Sequence, residues 1–178
     1  MTNELQSRKT DAVAPCSPEK RQQIEALGEL LGELPQVYIR VEHTLHAGVY
    51  ARTAYVPAGT MAVGVELAKD SVLICQGRCR VTSGGEVLEI DGYKVLSGLA
   101  GRKSVCATFS DCIFTTIITT DAKTVEEAEA EYTNEVERLQ TRRTDYGRFL
   151  DGGGDCGRGG GDGGCVDVLG GPSEEGGA

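Results

Sequence analysis

Between Val37 and Thr120 the chain consists of short runs rich in Val, Ile, Thr and Tyr, separated by glycine-containing turns. This alternation limits the possible folds more than any other feature. Strands are predicted near 37–42, 49–56, 60–67, 71–75, 78–83, 86–90, 93–97, 103–109 and 112–119. The expected turns are Pro57-Ala58-Gly59, Gln76-Gly77, Gly84-Gly85, Asp91-Gly92 and Ser110-Asp111. Turns recurring every roughly 8–12 residues are the mark of a sandwich or a closed barrel. No interval has room for a crossover helix, which excludes a parallel sheet and leaves an antiparallel barrel of about eight or nine strands.

Helical patterns flank this region. Ser17 suits an N-cap and Pro18 the first turn, where its missing N–H costs nothing. Ile24, Leu27, Leu30, Leu31 and Leu34 recur at helical spacing until Pro35 ends the run, so residues 17–34 read as one helix. A second helical pattern runs from Asp121 to about Gln140, opened by Thr124 and Glu127 as a capping box. Its apolar stripe is Val125, Ala128, Tyr132, Val136 and Leu139. Acidic residues fill its first half and Arg138, Arg142 and Arg143 its end, both favourable to the helix dipole.

The division expected is therefore a flexible arm over 1–16, a helix over 17–34, a β-barrel over 35–120, an amphipathic helix and exit over 121–150, and a tail over 151–178. Thirteen of the 25 glycines fall in that tail, too entropically costly to order alone. Calcium-binding nonapeptide repeats would need Asp where Gly160 to Val168 has Cys165, and there is no second copy.

A net charge of −9 argues against nucleic acid as a partner, because phosphate binding needs a Lys/Arg surface. No run reaches the roughly 18 apolar residues of a membrane span, so no membrane partner is expected. Residues 1–16 lack the apolar run of a secretory signal, which points to a cytoplasm and to reduced thiols for the seven cysteines. None of these shows C-x-x-C spacing, and four read as small core hydrophobes.

Material for chemistry is sparse. His43 and His46 are the only histidines, and at i, i+3 in an extended segment they point to opposite faces. A bend at Ala47-Gly48 could bring them together, with Glu42 or Glu66 as third ligand of a metal. The barrel contains no nucleophile elbow, phosphate loop or paired carboxylates with a nearby base, so no catalytic residue is assigned.

Four pieces occur in a telling order: Gly48-Val49-Tyr50-Ala51-Arg52, Pro57-Ala58-Gly59-Thr60, Phe114-Thr115-Thr116-Ile117, and Thr120-Asp121 entering the acidic helix. With them the stretch from about residue 34 to residue 132 resembles small cupin-like, jelly-roll proteins encoded by tailed bacteriophages. In cupins with a metal the first motif supplies two His and a Glu after a Gly, and the second a His after Pro-x-Gly. Here Leu67 and Ser71 stand roughly at those His positions, and Leu99 to Ser104 replace the second motif.

The resemblance implies a metal-free, cofactor-free barrel serving as a scaffold on a phage particle, as a capsid decoration or tail component. Its implied place is the virion and its partners are copies of itself and other virion proteins. The interface candidates are Ile24, Leu27 and Leu31 on one helix, Val125, Tyr132 and Val136 on the other, and Val168 and Leu169 in the tail. The alternatives are a metal-dependent cupin enzyme or sensor using His43, His46 and Glu66, and a ligand-binding barrel without metal.

Overall fold

The computed structural model describes residues 12–83 and 85–139, together with the backbone of 163–167. Among the described residues nine strands form: β1 (Ala12–Val13), β2 (Gln36–His46), β3 (Val49–Val56), β4 (Met61–Val63), β5 (Ser71–Ser83), β6 (Glu86–Gly98), β7 (Val105–Thr108), β8 (Cys112–Thr119) and β9 (Gly163–Asp167). Their order is β1-β6-β5-β8-β3-β2-β9, with β7 branching from β5 and carrying β4. Among the described residues pairing is antiparallel, as expected, except for the two-residue β1–β6 contact at one edge. Among the described residues the sheet wraps around its core without closing.

Two of the expected turns are not turns. Gln76-Gly77 and Asp91-Gly92 lie inside one long hairpin, where Gly77 (φ +118°) pairs with Gly92 (φ +88°). The positive φ values let both strands bend together. Before the bend β5 pairs with β8 through Val72–Gln76; after it, β5 pairs with β7 through Cys79–Thr82. One hairpin thus serves two walls. The predicted strand at 60–67 shrinks to three residues because the chain beyond Val63 turns to bridge Leu67 with Thr133.

The first helix, α1 (Pro18–Gly32), starts as its sequence demands: the Ser17 hydroxyl accepts from Lys20 N–H at 3.3 Å. At its far end the Gln36 amide donates to the carbonyls of Leu31 (3.1 Å) and Leu34 (2.9 Å), satisfying groups left open there. The second helix, α2, is shorter than the pattern suggests, Val125–Tyr132, followed by a 3-10 turn at Val136–Arg138. The fully buried Thr133 ends it, giving its hydroxyl to Glu66 O at 2.6 Å.

The two stripes offered as interfaces are largely used within the protomer. Ile24 and Leu31 are buried, Leu27 is half-buried, and Tyr132 sits in a core cluster with Tyr50, Leu67 and Ile118. Val125 and Val136 pack against that cluster. An amphipathic stripe needs an apolar partner, and this sheet supplies it. Val168 and Leu169 lie outside the described residues, as do residues 1–11 of the arm. The rest of the arm is packed: Val13 is 2% exposed on β6, and Cys16 is buried. Within the glycine-rich segment, residues 163–167 pair with Gln36–Arg40 as a strand.

Candidate functional site

Inside the wrapped sheet lies a cavity of about 480 Å³. Strand register explains which side chains reach it. Residues of one parity share a face, so Arg52 and Ala54 project inward with the buried Tyr50 and Val56 of β3. One interior rung reads Leu96, Leu73, Thr116, Arg52, His43 across five strands. The next reads Cys75, Phe114, Ala54, Val41. A polar rung therefore adjoins an apolar one, and Val56, Val81 and Phe114 line the apolar end.

Residues 102–104 supply the other wall. Lys103 is 1% exposed, and its ammonium donates to both Glu135 oxygens, at 2.6 and 2.7 Å. Burial alone would raise the Glu135 pKa, but hydrogen bonds from Lys103 and from Glu66 N–H (2.8 Å) outweigh it and hold the carboxyl below its ordinary value. This pair ties the segment after α2 to the barrel mouth.

Arg102 is 5% exposed and lies flat on β6, where a Cβ at Gly98 would stand 2.5 Å from its Nε. Only glycine leaves that space. Arg102 Nη2 donates to Ser71 Oγ at 3.0 Å, while Nε has no partner. Burial lowers its pKa, yet an arginine stays protonated in a protein. Arg52 Nε and Ser104 Oγ are likewise buried without a partner. Ser71, expected only as a replaced ligand, is what positions Arg102.

The metal candidates do not converge. His43 Nδ1 is 2.8 Å from the Tyr50 hydroxyl, the two rings stacked at 5.9 Å. His46 is exposed at the end of β2, and Glu66 pairs with Arg21 at 2.8 Å. Leu67 is core. The cavity wall itself does not fit a metal cation: among the described residues it contains no histidine, its half-buried Glu135 carboxylate is taken by Lys103, and Arg52 and Arg102 would repel the ion.

Arg52, Arg102 and Lys103 escaped the sequence reading as a site. The signal available was parity: Arg52 is two residues from Tyr50 and four from Val56.

Fold and site together define a jelly-roll-like antiparallel sheet wrapped around a cationic, partly apolar cavity. Comparison with solved structures finds cupins. The chain is similar to a cupin superfamily protein from Desulfitobacterium hafniense DCB-2, with 16% identity and a TM-score of 0.39 over 48% of this chain and 78% of that one. It is also similar to an RmlC-like cupin family protein with a double-stranded β-helix fold from Methanocaldococcus jannaschii, with 14% identity and a TM-score of 0.40 over 46% and 80%. KdgF from Halomonas sp. aligns at 12% identity and a TM-score of 0.41 over 47% and 82%. No family model and no curated protein matches. These likenesses concern strand arrangement and say nothing of ligand or activity.

Proposed function

We propose that this barrel binds a small organic molecule in its cavity without a metal, as a binding module rather than an enzyme. The observation that carries the reading is a cavity of about 480 Å³ walled on one side by Phe114, Val56 and Val81 and on the other by polar atoms without partners. That volume is in the ordinary range for ligand sites, which combine apolar walls with a few placed polar groups. Against catalysis stands the state of the half-buried Glu135. Glu135 is held as a carboxylate by Lys103 and a backbone N–H, so it is poorly placed to exchange protons. The test is a thermal-shift screen of small metabolites on the full chain, repeated on Ala54→Leu, which narrows the cavity. Compounds that raise the wild-type melting temperature and lose that effect in the variant support the reading. A screen with no hits, and no molecule released from the purified protein on denaturation, would overturn it.

A second reading, an assembly component of a tailed-phage virion, draws on the sequence resemblance and on one surface. Val72, Tyr93 and Val95 are 42%, 66% and 43% exposed on the outer face of β5 and β6. Exposed apolar residues clustered on a sheet face favour a protein partner. Peptide mass spectra of purified particles decide it: presence at a fixed ratio to capsid or tail proteins supports the reading, and absence removes it.

A further inference from the structure

We infer that the cavity's ligand is an organic anion, a carboxylate or phosphate on an apolar body, with its oxyanion held between Arg52 and Arg102. This rests on the small-molecule reading above and names the class of molecule. The argument begins with charge. Of the three cations in the depth of the wall, Lys103 is matched by Glu135. Arg102, 95% removed from solvent by its 5% exposure, has a neutral hydroxyl as partner and an idle Nε. Arg52 also makes no ion pair among the described residues, and its Nε is idle too.

Two permanent positive charges, Arg102 buried and Arg52 half-buried with its Nε out of solvent, both with donors to spare, are a setting that a chain does not keep for stability. The guanidinium fork matches an oxyanion in geometry as well as charge. Ser104 Oγ, buried and unpartnered in the same wall, offers a further hydrogen bond. The remaining acids of the wall, Glu25, Glu29 and Glu137, stand on α1 and the 3-10 turn at the mouth, half or fully exposed. Solvent screens them there, and what field remains favours an anionic end directed inward.

Strand geometry sets the body of the ligand. From Arg52 to Val56 along β3 is about 13 Å at roughly 3.3 Å per residue. Over that length the lining passes from Arg52 and Thr116 to Ala54 and Phe114, then to Val56. An aromatic or short aliphatic acid fits that gradient, its ring or chain against Phe114.

The experiment measures calorimetric binding of benzoate, phenyl phosphate and benzamide to the full-length chain. Benzoate or phenyl phosphate should bind at least about tenfold more tightly than the neutral benzamide. The better of the two identifies the oxyanion as carboxylate or phosphate. Arg52→Gln should lose about that factor with an unchanged circular-dichroism spectrum; Arg102→Gln serves as the second variant. If benzamide binds as well as benzoate, or if both variants bind benzoate like wild type, the anion assignment is wrong while the cavity reading stands. If none of the three probes binds, the anion assignment falls, and the metabolite screen alone decides the cavity reading.

Discussion

Gly77 and Gly92 face each other across the β5–β6 hairpin, both at positive φ, at the point where β5 leaves β8 for β7. The two are not equivalent. A Cβ on Gly77 would lie 2.6 Å from both Asp111 O and Cys112 Sγ, whereas one on Gly92 would meet nothing within 4 Å. Gly92→Ala should therefore cost only the left-handed backbone penalty, about 1 kcal/mol. Gly77→Ala adds a steric clash with backbone and should cost about 3 kcal/mol. Urea unfolding of the two variants measures the difference; equal losses would mean that the approach of Asp111 and Cys112 to Gly77 is not the constraint.

Separating Lys103 from Glu135 should be costly, because the ammonium is 1% exposed. Glu135→Leu leaves that charge unpaired and should destabilise by about 2–4 kcal/mol. Adding Lys103→Met should restore much of the loss, since an apolar pair of similar volume removes the desolvation problem. A double-mutant cycle in denaturant checks it.

The same carboxyl shapes the acid limb of stability. Its folded pKa lies below the ordinary 4.5, so its contribution is fully present above that value and disappears as pH falls through the folded pKa. Glu131, lowered by hydrogen bonds from Lys69 and Thr120, acts in the same window. Melting temperature should thus hold steady down to about pH 5 and fall below it. In Glu135→Gln the fall below pH 4.5 should be shallower than in wild type.

Arg102→Met should raise stability by about 1–2 kcal/mol, because it removes a buried charge whose nearest partner is a hydroxyl. A binding site commonly gives up stability for its ligand. A loss larger than about 1 kcal/mol would show that the guanidinium does structural work.

Cys75 and Cys79 should resist alkylation. Burial pushes both thiols up to about 12, with Cys112 beside Cys79 adding to the effect. At pH 8 roughly one thiol in 10,000 would then be a thiolate. Iodoacetamide labelling read by mass spectrometry should mark these two only after denaturation.

Much of this architecture was legible, and the failures share a cause. Ser17, Pro18 and Thr124 announced their helices because capping is decided within four residues. Gln76-Gly77 and Asp91-Gly92 were misread because a glycine supplies positive φ to a turn and to a bend alike. Only the partner strand tells them apart. The end of α2 depends on Thr133 meeting Leu67, a pairing that no local pattern contains. The site suffered most: Arg102 and Lys103 lie in a segment without periodicity, where charge ordinarily means solvent, and their burial depends on Gly98, Ser71 and Glu135.

The docking of the N-terminal segment has a consequence in time. Val13 pairs with Gly98, and the Cys16 thiol donates to the carbonyl of Lys103, 87 residues away. The first cannot form until Gly98 has been made, nor the second until Lys103 has. On a ribosome, residues 12–16 must therefore wait through the making of five strands, β2 to β6, before their surface appears. Folds closed by such distant pairings condense slowly, on the order of milliseconds to seconds. For this chain residues 12–16 find their place only after β2 to β6 have been made.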